Sequence, residues 1–91
     1  MENHENNNSF FAEIEGLLFV SSGMVSVYQI SKTLEITETE VEAYLEALDN
    51  HYKDFGHGIR LMRVKSRVQL TTAPEISKTI ENFLELEVSS T

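Results

Sequence analysis

With 91 residues and no cysteine, the chain is long enough for one small domain, and disulfides, zinc ribbons and thiol catalysis are excluded. Its net charge of −8 disfavours broad non-specific binding to nucleic acid or to anionic membranes. The first nine residues are polar and acidic rather than basic and then apolar, and the longest apolar stretch, Leu17 to Val20, is too short to span a membrane. We therefore expect a cytoplasmic protein without a membrane segment.

The first predicted helix follows a polar tail, residues 1–9, which is predicted to be disordered up to an N-cap at Ser9. The apolar residues of this helix form an arc wider than one core-facing stripe requires. Two interpretations stay open: a central helix buried on most sides, or a helix with one edge against a second subunit. The candidate dimer-interface residues are Phe10, Phe11, Ile14, Leu17 and Leu18.

Two more helices are predicted before Gly56. Ser21 to Gly23 end the first helix, and Met24 and Val25 suit a short strand. Ser26 is the predicted N-cap of the second helix, which ends near Glu35. Thr37-x-x-Glu40 has the form of a capping box and starts the third helix. The apolar stripe of that third helix consists of Val41, Tyr44, Leu45, Leu48 and Tyr52.

A two-stranded ribbon and a last helix complete the predicted domain. Residues 59–64 and 68–72 are rich in β-branched and aliphatic side chains, and we expect Leu61 and Leu70 to lie on the same face of the ribbon. The connector, residues 65–67, contains neither Gly nor Asn, which predicts a loop of three to five residues. Pro74 suits the first turn of the last helix, whose apolar stripe is Ile76, Ile80, Phe83 and Leu84.

This order of elements predicts a winged helix-turn-helix domain, an α+β fold with three helices, a two-stranded wing and a C-terminal helix. The domain is expected to span residues 10–84. Residues 85–91 are acidic and Ser-rich and are predicted to form a disordered tail.

The charge of the third helix disfavours the use that this fold most often has. In DNA-binding winged helices this helix lies in the major groove. Residues 37–54 carry six carboxylates and one Lys, a net charge of −5, which would repel the phosphates. We interpret this face as solvated, and direct binding of nucleic acid by it is disfavoured. The charged residues are Glu38, Glu40, Glu42, Glu46, Asp49, Lys53 and Asp54.

The ribbon has the opposite charge. Residues 56–74 contain no Asp or Glu and carry a charge of +4 from Arg60, Arg63, Lys65 and Arg67. Three interpretations stay open. The wing could contact a phosphate backbone, could pair with an acidic surface of its own domain or of a partner, or could be a solvated edge that charge protects from aggregation.

No arrangement typical of catalysis is visible. His51 and His57 lack carboxylates at ligand spacing, Ser21 and Ser22 lack a nucleophile elbow, and the chain has no Gly-rich phosphate loop. We therefore predict a protein that is not an enzyme and that has no catalytic residues, cofactor or metal site.

An ordered set of motifs resembles bacterial segregation and condensation protein B, ScpB. They cover about residues 11–84 and are FAEIEGLLFV at 11–20 with Ser-Ser-Gly after it, Ile36-Thr37-x-x-Glu40-Val41, GIRLMRV at 58–64, QLTT at 69–72 and Pro74-Glu75. The chain departs from the family's pattern in two places. It has Lys65-Ser66-Arg67 where the family often has Gly at the wing turn, and Met24-Val25 where the family often has a Pro.

The resemblance implies a non-catalytic scaffold subunit of the bacterial SMC–kleisin complex, associated with the nucleoid in the cytoplasm. Such a subunit homodimerises, binds the kleisin ScpA and through it the SMC ATPase, and acts in chromosome condensation and segregation. Family members usually continue into a second winged-helix domain, so we expect this chain to correspond to the amino-terminal, self-associating one. The alternative hypothesis is a winged-helix regulator that contacts DNA through its basic wing.

Overall fold

The structure is a computed structural model that describes residues 6–54 and 56–89, with side chains for residues 10–54 and 56–87. Its elements form one chain-ordered set of helices and short strands. They are α1 (Asn6–Val20), β1 (Val25–Ser26), α2 (Val27–Leu34), α3 (Glu38–Asp54), β2 (Ile59–Val64), β3 (Arg67–Thr72), the short 3₁₀ helix η1 (Pro74–Ile76) and α4 (Ser77–Ser89).

Side-chain caps start α2 and α3 where the sequence predicts. The Ser26 hydroxyl accepts a hydrogen bond from the Gln29 amide, and the Gln29 side chain accepts one from the Ser26 amide, both at 3.0 Å. Thr37 and Glu40 form the same reciprocal pair at 3.0 and 2.9 Å. Each box satisfies two amides that the first helical turn leaves without backbone partners, so both predicted helix starts are confirmed.

The core lies where α1, α2 and α3 meet the central strand β3. The stripe of α3 is confirmed, because four of its five predicted members are buried and Tyr44 packs against them half-buried. One contiguous cluster holds the three helices to the sheet. Its buried members are Ile14, Leu18, Val27, Ile30, Val41, Leu45, Leu48, Tyr52 and Val68.

The sheet has three strands rather than the two predicted. β3 is central, and the order is β1-β3-β2 with both pairs antiparallel. Leu61 lies opposite Leu70, which confirms the predicted pairing. The third strand is only two residues long, and it forms because Val25 pairs with Val68 and the amide of Val27 donates to the carbonyl of Ser66 at 2.8 Å.

The turn of the wing is tighter than predicted. Val64 pairs with Arg67, so only Lys65 and Ser66 connect the strands. The expectation of a longer loop was wrong because Lys65 itself adopts the left-handed conformation, with φ of 57°. Two-residue hairpin turns require a positive φ of this kind, which Gly or Asn usually supplies.

Two helices are longer than predicted. α1 begins at Asn6, so Ser9 lies inside it and is not its N-cap. α4 continues to Ser89, beyond Leu84, where we placed the end of the domain, because residues 85–89 contain no Gly or Pro to stop it. Residues 1–5 and 90–91 of the two predicted tails lie outside the described residues.

Three helices followed by a ribbon packed beside α3 give the predicted winged-helix fold, with β1 as an added edge strand. α4 makes its main contacts with η1 rather than with the core. The described chain is accordingly elongated, with principal extents of 50 × 25 × 25 Å.

Candidate protein-interaction surfaces

The predicted interface on α1 does not form a single exposed patch. Ile14 and Leu18 are 0% and 3% exposed and belong to the core of the protomer. Phe10, Phe11 and Leu17 are half-buried, and the latter two pack against that core. The inclusion of Ile14 and Leu18 was therefore wrong, because these side chains are already covered by α2, α3 and the sheet. Self-association through the remainder of α1 stays a prediction.

The carboxyl-terminal half of α1 exposes other apolar residues. Phe19 is 80% exposed and Val20 76% exposed. Exposed Ala12 and Gly16 lie one turn apart on the same helix, and a Cβ placed on Gly16 would meet nothing within 4 Å. Small residues at this spacing signal that another element can approach the helix closely. The sequence analysis did not use that signal.

These residues form one wall of an open apolar groove of about 380 Å³, here called the α1 groove. The end of α3 and the sheet supply the other walls. Covering large apolar side chains is favourable by about 25 cal/mol per Å² of apolar surface. The lining residues are Ala12, Glu15, Gly16, Phe19, Tyr52, Ile59 and Leu70.

The polar atoms in the groove are paired with each other. The Tyr52 hydroxyl donates a 2.6 Å hydrogen bond to the Glu15 carboxylate, which ties α3 to α1. Burial and this hydrogen bond raise the pKa of Tyr52 well above its usual value, so the hydroxyl stays protonated and keeps donating at neutral pH. An apolar occupant could therefore cover this wall without leaving the hydroxyl unpaired.

α4 carries a second apolar surface, here called the α4 stripe, that consists of Ile80, Phe83, Leu84 and Leu86. The first three lie at i, i+3 and i+4 on one side of the helix, and Leu86 lies beside Phe83. Phe83, Leu84 and Leu86 are 58%, 51% and 69% exposed. A 13-residue helix is marginal by itself in water, so this stripe favours burial against a partner.

The wing and α3 form a charged surface. Arg63 donates to both carboxylate oxygens of Glu42, at 2.6 and 3.1 Å, and to the carbonyl of Lys65 at 3.3 Å. The Arg63 hydrogen bond holds the pKa of Glu42 below its usual value. Arg60 donates to Glu75 at 2.8 Å, which likewise lowers the pKa of Glu75.

The structure thus brings two of the four predicted wing contacts onto acidic groups of the same domain, which is one of the three interpretations left open. Lys65 and Arg67 are exposed at the turn. The acidic face of α3 keeps an ion pair of its own, Lys53 with Asp49 at 3.2 Å. Arg60 and Arg63 are therefore less available to phosphates than their sequence position suggests.

The two histidines near the end of α3 pack together as aromatic groups. The rings of His51 and His57 are 4.8 Å apart, with Tyr52 next to both. Among the described residues, no group of three or more Asp, Glu or His side chains could hold a metal ion. In the same part of the chain, no helix is long and apolar enough to cross a membrane.

The family described as Segregation and condensation complex subunit ScpB matches residues 12–90. Similar curated proteins include segregation and condensation protein B of Clostridium tetani, 32% identical over 96% of this chain, and of Brevibacillus brevis, 40% identical over 68% of it. The chain spans less than half the length of these relatives, 46% and 32% respectively.

Solved structures with the same fold agree with this match. One is described as a dimer of the ScpB N-terminal domain complexed with ScpA peptide. It is 28% identical with a TM-score of 0.75, and the alignment covers 84% of this chain and 95% of that one. ScpB from Mycobacterium tuberculosis has a TM-score of 0.86 at 20% identity over 93% of this chain and 52% of its own, which shows a shared fold.

Proposed function

The chain belongs to the family of the segregation and condensation complex subunit ScpB, and from this premise we propose that it is a non-catalytic scaffold in the bacterial SMC–kleisin complex. In this role it homodimerises and binds the kleisin ScpA, and through ScpA the SMC ATPase, in chromosome condensation and segregation. The protein would act in the cytoplasm at the nucleoid. The observation that carries the proposal is the solved relative that is a dimer bound to a ScpA peptide and that this chain matches over 95% of its length.

Exposed apolar surface supports an interaction role. The α1 groove and the α4 stripe together leave large side chains such as Phe19, Phe83 and Leu86 more than half exposed. Surfaces of this kind in a small domain mark sites of protein association. A partner that covers them would also add to the modest stability of a domain of this size.

The charges support the same conclusion against a groove-reading role. α3 keeps its carboxylates on the surface that would meet phosphates, and Glu42 is bound to the wing by Arg63. An approaching phosphate would have to compete with this bidentate pair and would face the other acids of the helix.

The test combines self-association with capture of ScpA. We expect the 91-residue chain to sediment as a dimer at tens of micromolar and, immobilised, to retain ScpA from the same bacterium. Phe19→Ser should weaken one of these two interactions, whereas Glu46→Ser, an exposed change on α3, should leave both unchanged. A chain that stays monomeric at that concentration and does not retain ScpA would contradict the proposal.

A second candidate function is DNA contact through the tip of the wing, which Lys65 and Arg67 favour because both are exposed there. Two phosphate contacts would give weak binding to duplex DNA with a salt slope of about −2. Binding by fluorescence anisotropy in low salt that Arg67→Glu abolishes and Glu46→Ser preserves would support it. No binding at low salt would exclude it.

A further inference from the structure

The α4 stripe lacks a partner within the described part of its own protomer. The helix makes its main contacts with η1, and only Ile80 of the stripe is half-buried. Its other three members are each more than half exposed. The polar residues Lys78, Glu81, Asn82 and Glu85 lie on the opposite side of the helix, so the apolar side is one-sided, as in a helix that packs against a surface.

The same chain contains a surface that suits this stripe. The α1 groove is open and about 380 Å³ in volume, which is room for bulky side chains, and its floor at Gly16 admits close approach. Glu15 and Tyr52, the polar residues that line it, already pair with each other. A helix with a one-sided apolar face can therefore dock here with few unpaired polar groups.

The connection to α4 keeps the helix out of its own groove. The amide of Ala73 donates to the carbonyl of Gly58 at 2.8 Å, which ties the start of η1 to the start of β2. A Cβ on Gly58 would lie 3.4 Å from Ile76 Cδ1, so η1 is tightly packed at this point. From there α4 continues without a break, and its stripe stays exposed. Ile59, at the rim of the groove, follows Gly58 directly, so each helix begins beside its own groove.

We propose that two copies of the chain exchange these helices, so that the α4 stripe of one copy lies in the α1 groove of the other. The inference rests on the self-association proposed above and assigns it to named surfaces. Because each α4 begins next to its own groove, a two-fold axis close to η1 makes the same contact twice. Phe83 is the central side chain of the stripe and enters the groove beside Gly16 and Phe19.

The amount of exposed apolar surface is adequate for such a dimer. Large side chains expose about 150–250 Å² when fully open. At the exposures found for Phe19, Ile59, Phe83, Leu84 and Leu86, one copy contributes roughly 500 Å². This is more than half of the about 800 Å² per partner that a standard stable interface buries.

Cross-linking tests the exchange directly, because the chain has no cysteine of its own. Copies with Ala12→Cys, in the groove, are mixed with differently tagged copies with Glu87→Cys, which lies one turn beyond Phe83 on the stripe side. A short bis-maleimide should join them into a heterodimer. Glu85→Cys is the matched control, since it removes the same charge from the opposite side of α4, and it should give little product.

Two results of cross-linking would overturn the inference. One is equal yield from Glu85→Cys and Glu87→Cys. The other is a chain with both Ala12→Cys and Glu87→Cys that cross-links within itself and not to another copy, since α4 would then cover its own groove.

Sedimentation equilibrium gives an independent measurement. Phe83→Glu should raise the dimer Kd by more than about thirtyfold, as expected for a central interface residue, whereas Asn82→Glu should change it by less than about threefold. Gly16→Leu should also weaken the dimer by filling the groove. Its higher helix propensity keeps the monomer folded, so loss of the dimer could not be attributed to unfolding.

The outcomes separate this inference from the proposed function. If Phe83→Glu and Gly16→Leu dimerise as the unmodified chain does, the helix exchange is wrong and self-association stands. If the unmodified chain is a monomer and binds only a ScpA peptide through the α1 groove, both the exchange and the self-association are wrong.

Discussion

The face formed by α3 and the wing and the face formed by α1 and α4 use their side chains in opposite ways. On the first face, charged groups are paired with each other within the domain, as Arg63 is with Glu42 and Arg60 with Glu75. On the second face, large apolar groups such as Phe19 and Phe83 remain exposed. The winged-helix surface that reads DNA in other proteins is thus internally neutralised, and the opposite surface is left open for protein contact.

The difference shows that the shape of a winged helix does not determine its use. Exposed ion pairs contribute little stability, typically below about 1 kcal/mol, so the wing pairs are a modest internal tie. Covering the exposed apolar side chains is worth several times more. Association is therefore driven mainly by the α1 and α4 side of the molecule, and each of the following predictions tests one part of this contrast.

The largest effect is expected within α1 itself, where buried and exposed apolar residues alternate. Ile14→Ala removes a fully buried side chain and should lower the free energy of unfolding by about 2–5 kcal/mol. Phe19→Ala, on the exposed side, should change it by less than about 0.5 kcal/mol in the monomer. Urea denaturation at a concentration where the chain is monomeric measures both. Similar losses for the two variants would contradict the division of α1 into a core side and a groove side.

A smaller effect is expected at the hydrogen bond that lines the α1 groove. Tyr52→Phe removes the donor to Glu15 and should cost about 1 kcal/mol. Because the folded pKa of Tyr52 is raised above its unfolded value of about 10, the stabilisation is complete below pH 10 and is lost as the pH rises further. Denaturation between about pH 8 and pH 11 should show this alkaline loss in the unmodified chain and not in Tyr52→Phe. A loss of the same size in both would exclude Tyr52 as its source.

Sequence patterns were sufficient for the elements whose signals are local. The capping boxes at Ser26 and Thr37, the stripe of α3 and the pairing of Leu61 with Leu70 all follow from short-range spacing and are found in the structure. They could be predicted because each depends on residues that are near in sequence or on the period of a strand.

The remaining features depend on contacts between distant parts of the chain. β1 is too short to have a pattern and exists because β3 is beside it. The wide apolar arc of α1 could not show that Ile14 faces the core and Phe19 faces outward, because helical period alone does not place the neighbouring helices. The α1 groove likewise needs α1, α3 and the sheet to come together.

The ion pair between the wing and α3 should contribute less than the groove hydrogen bond. A double-mutant cycle with Glu42→Gln and Arg63→Met should give a coupling energy of at most about 1 kcal/mol, because both side chains are more than one third exposed. The folded pKa of Glu42 is lowered, so the contribution is complete above its unfolded pKa of about 4.3 and is lost as the pH falls through the folded value. A coupling energy that stays constant from about pH 7 to pH 3 would contradict this assignment.

The smallest effect is expected at the tip of the wing. Lys65 has a φ of 57°, a conformation that costs a non-Gly residue about 1 kcal/mol and Gly almost nothing. Gly also gains more freedom in the unfolded chain, so Lys65→Gly should stabilise the domain by only about 0.5 kcal/mol. Lys65→Ala removes the same charge and keeps the strain, so it should not stabilise the domain. If thermal unfolding raises Tm equally for both variants, the gain comes from removing the charge, and the wing cations then oppose folding rather than help to neutralise the face that they share with α3.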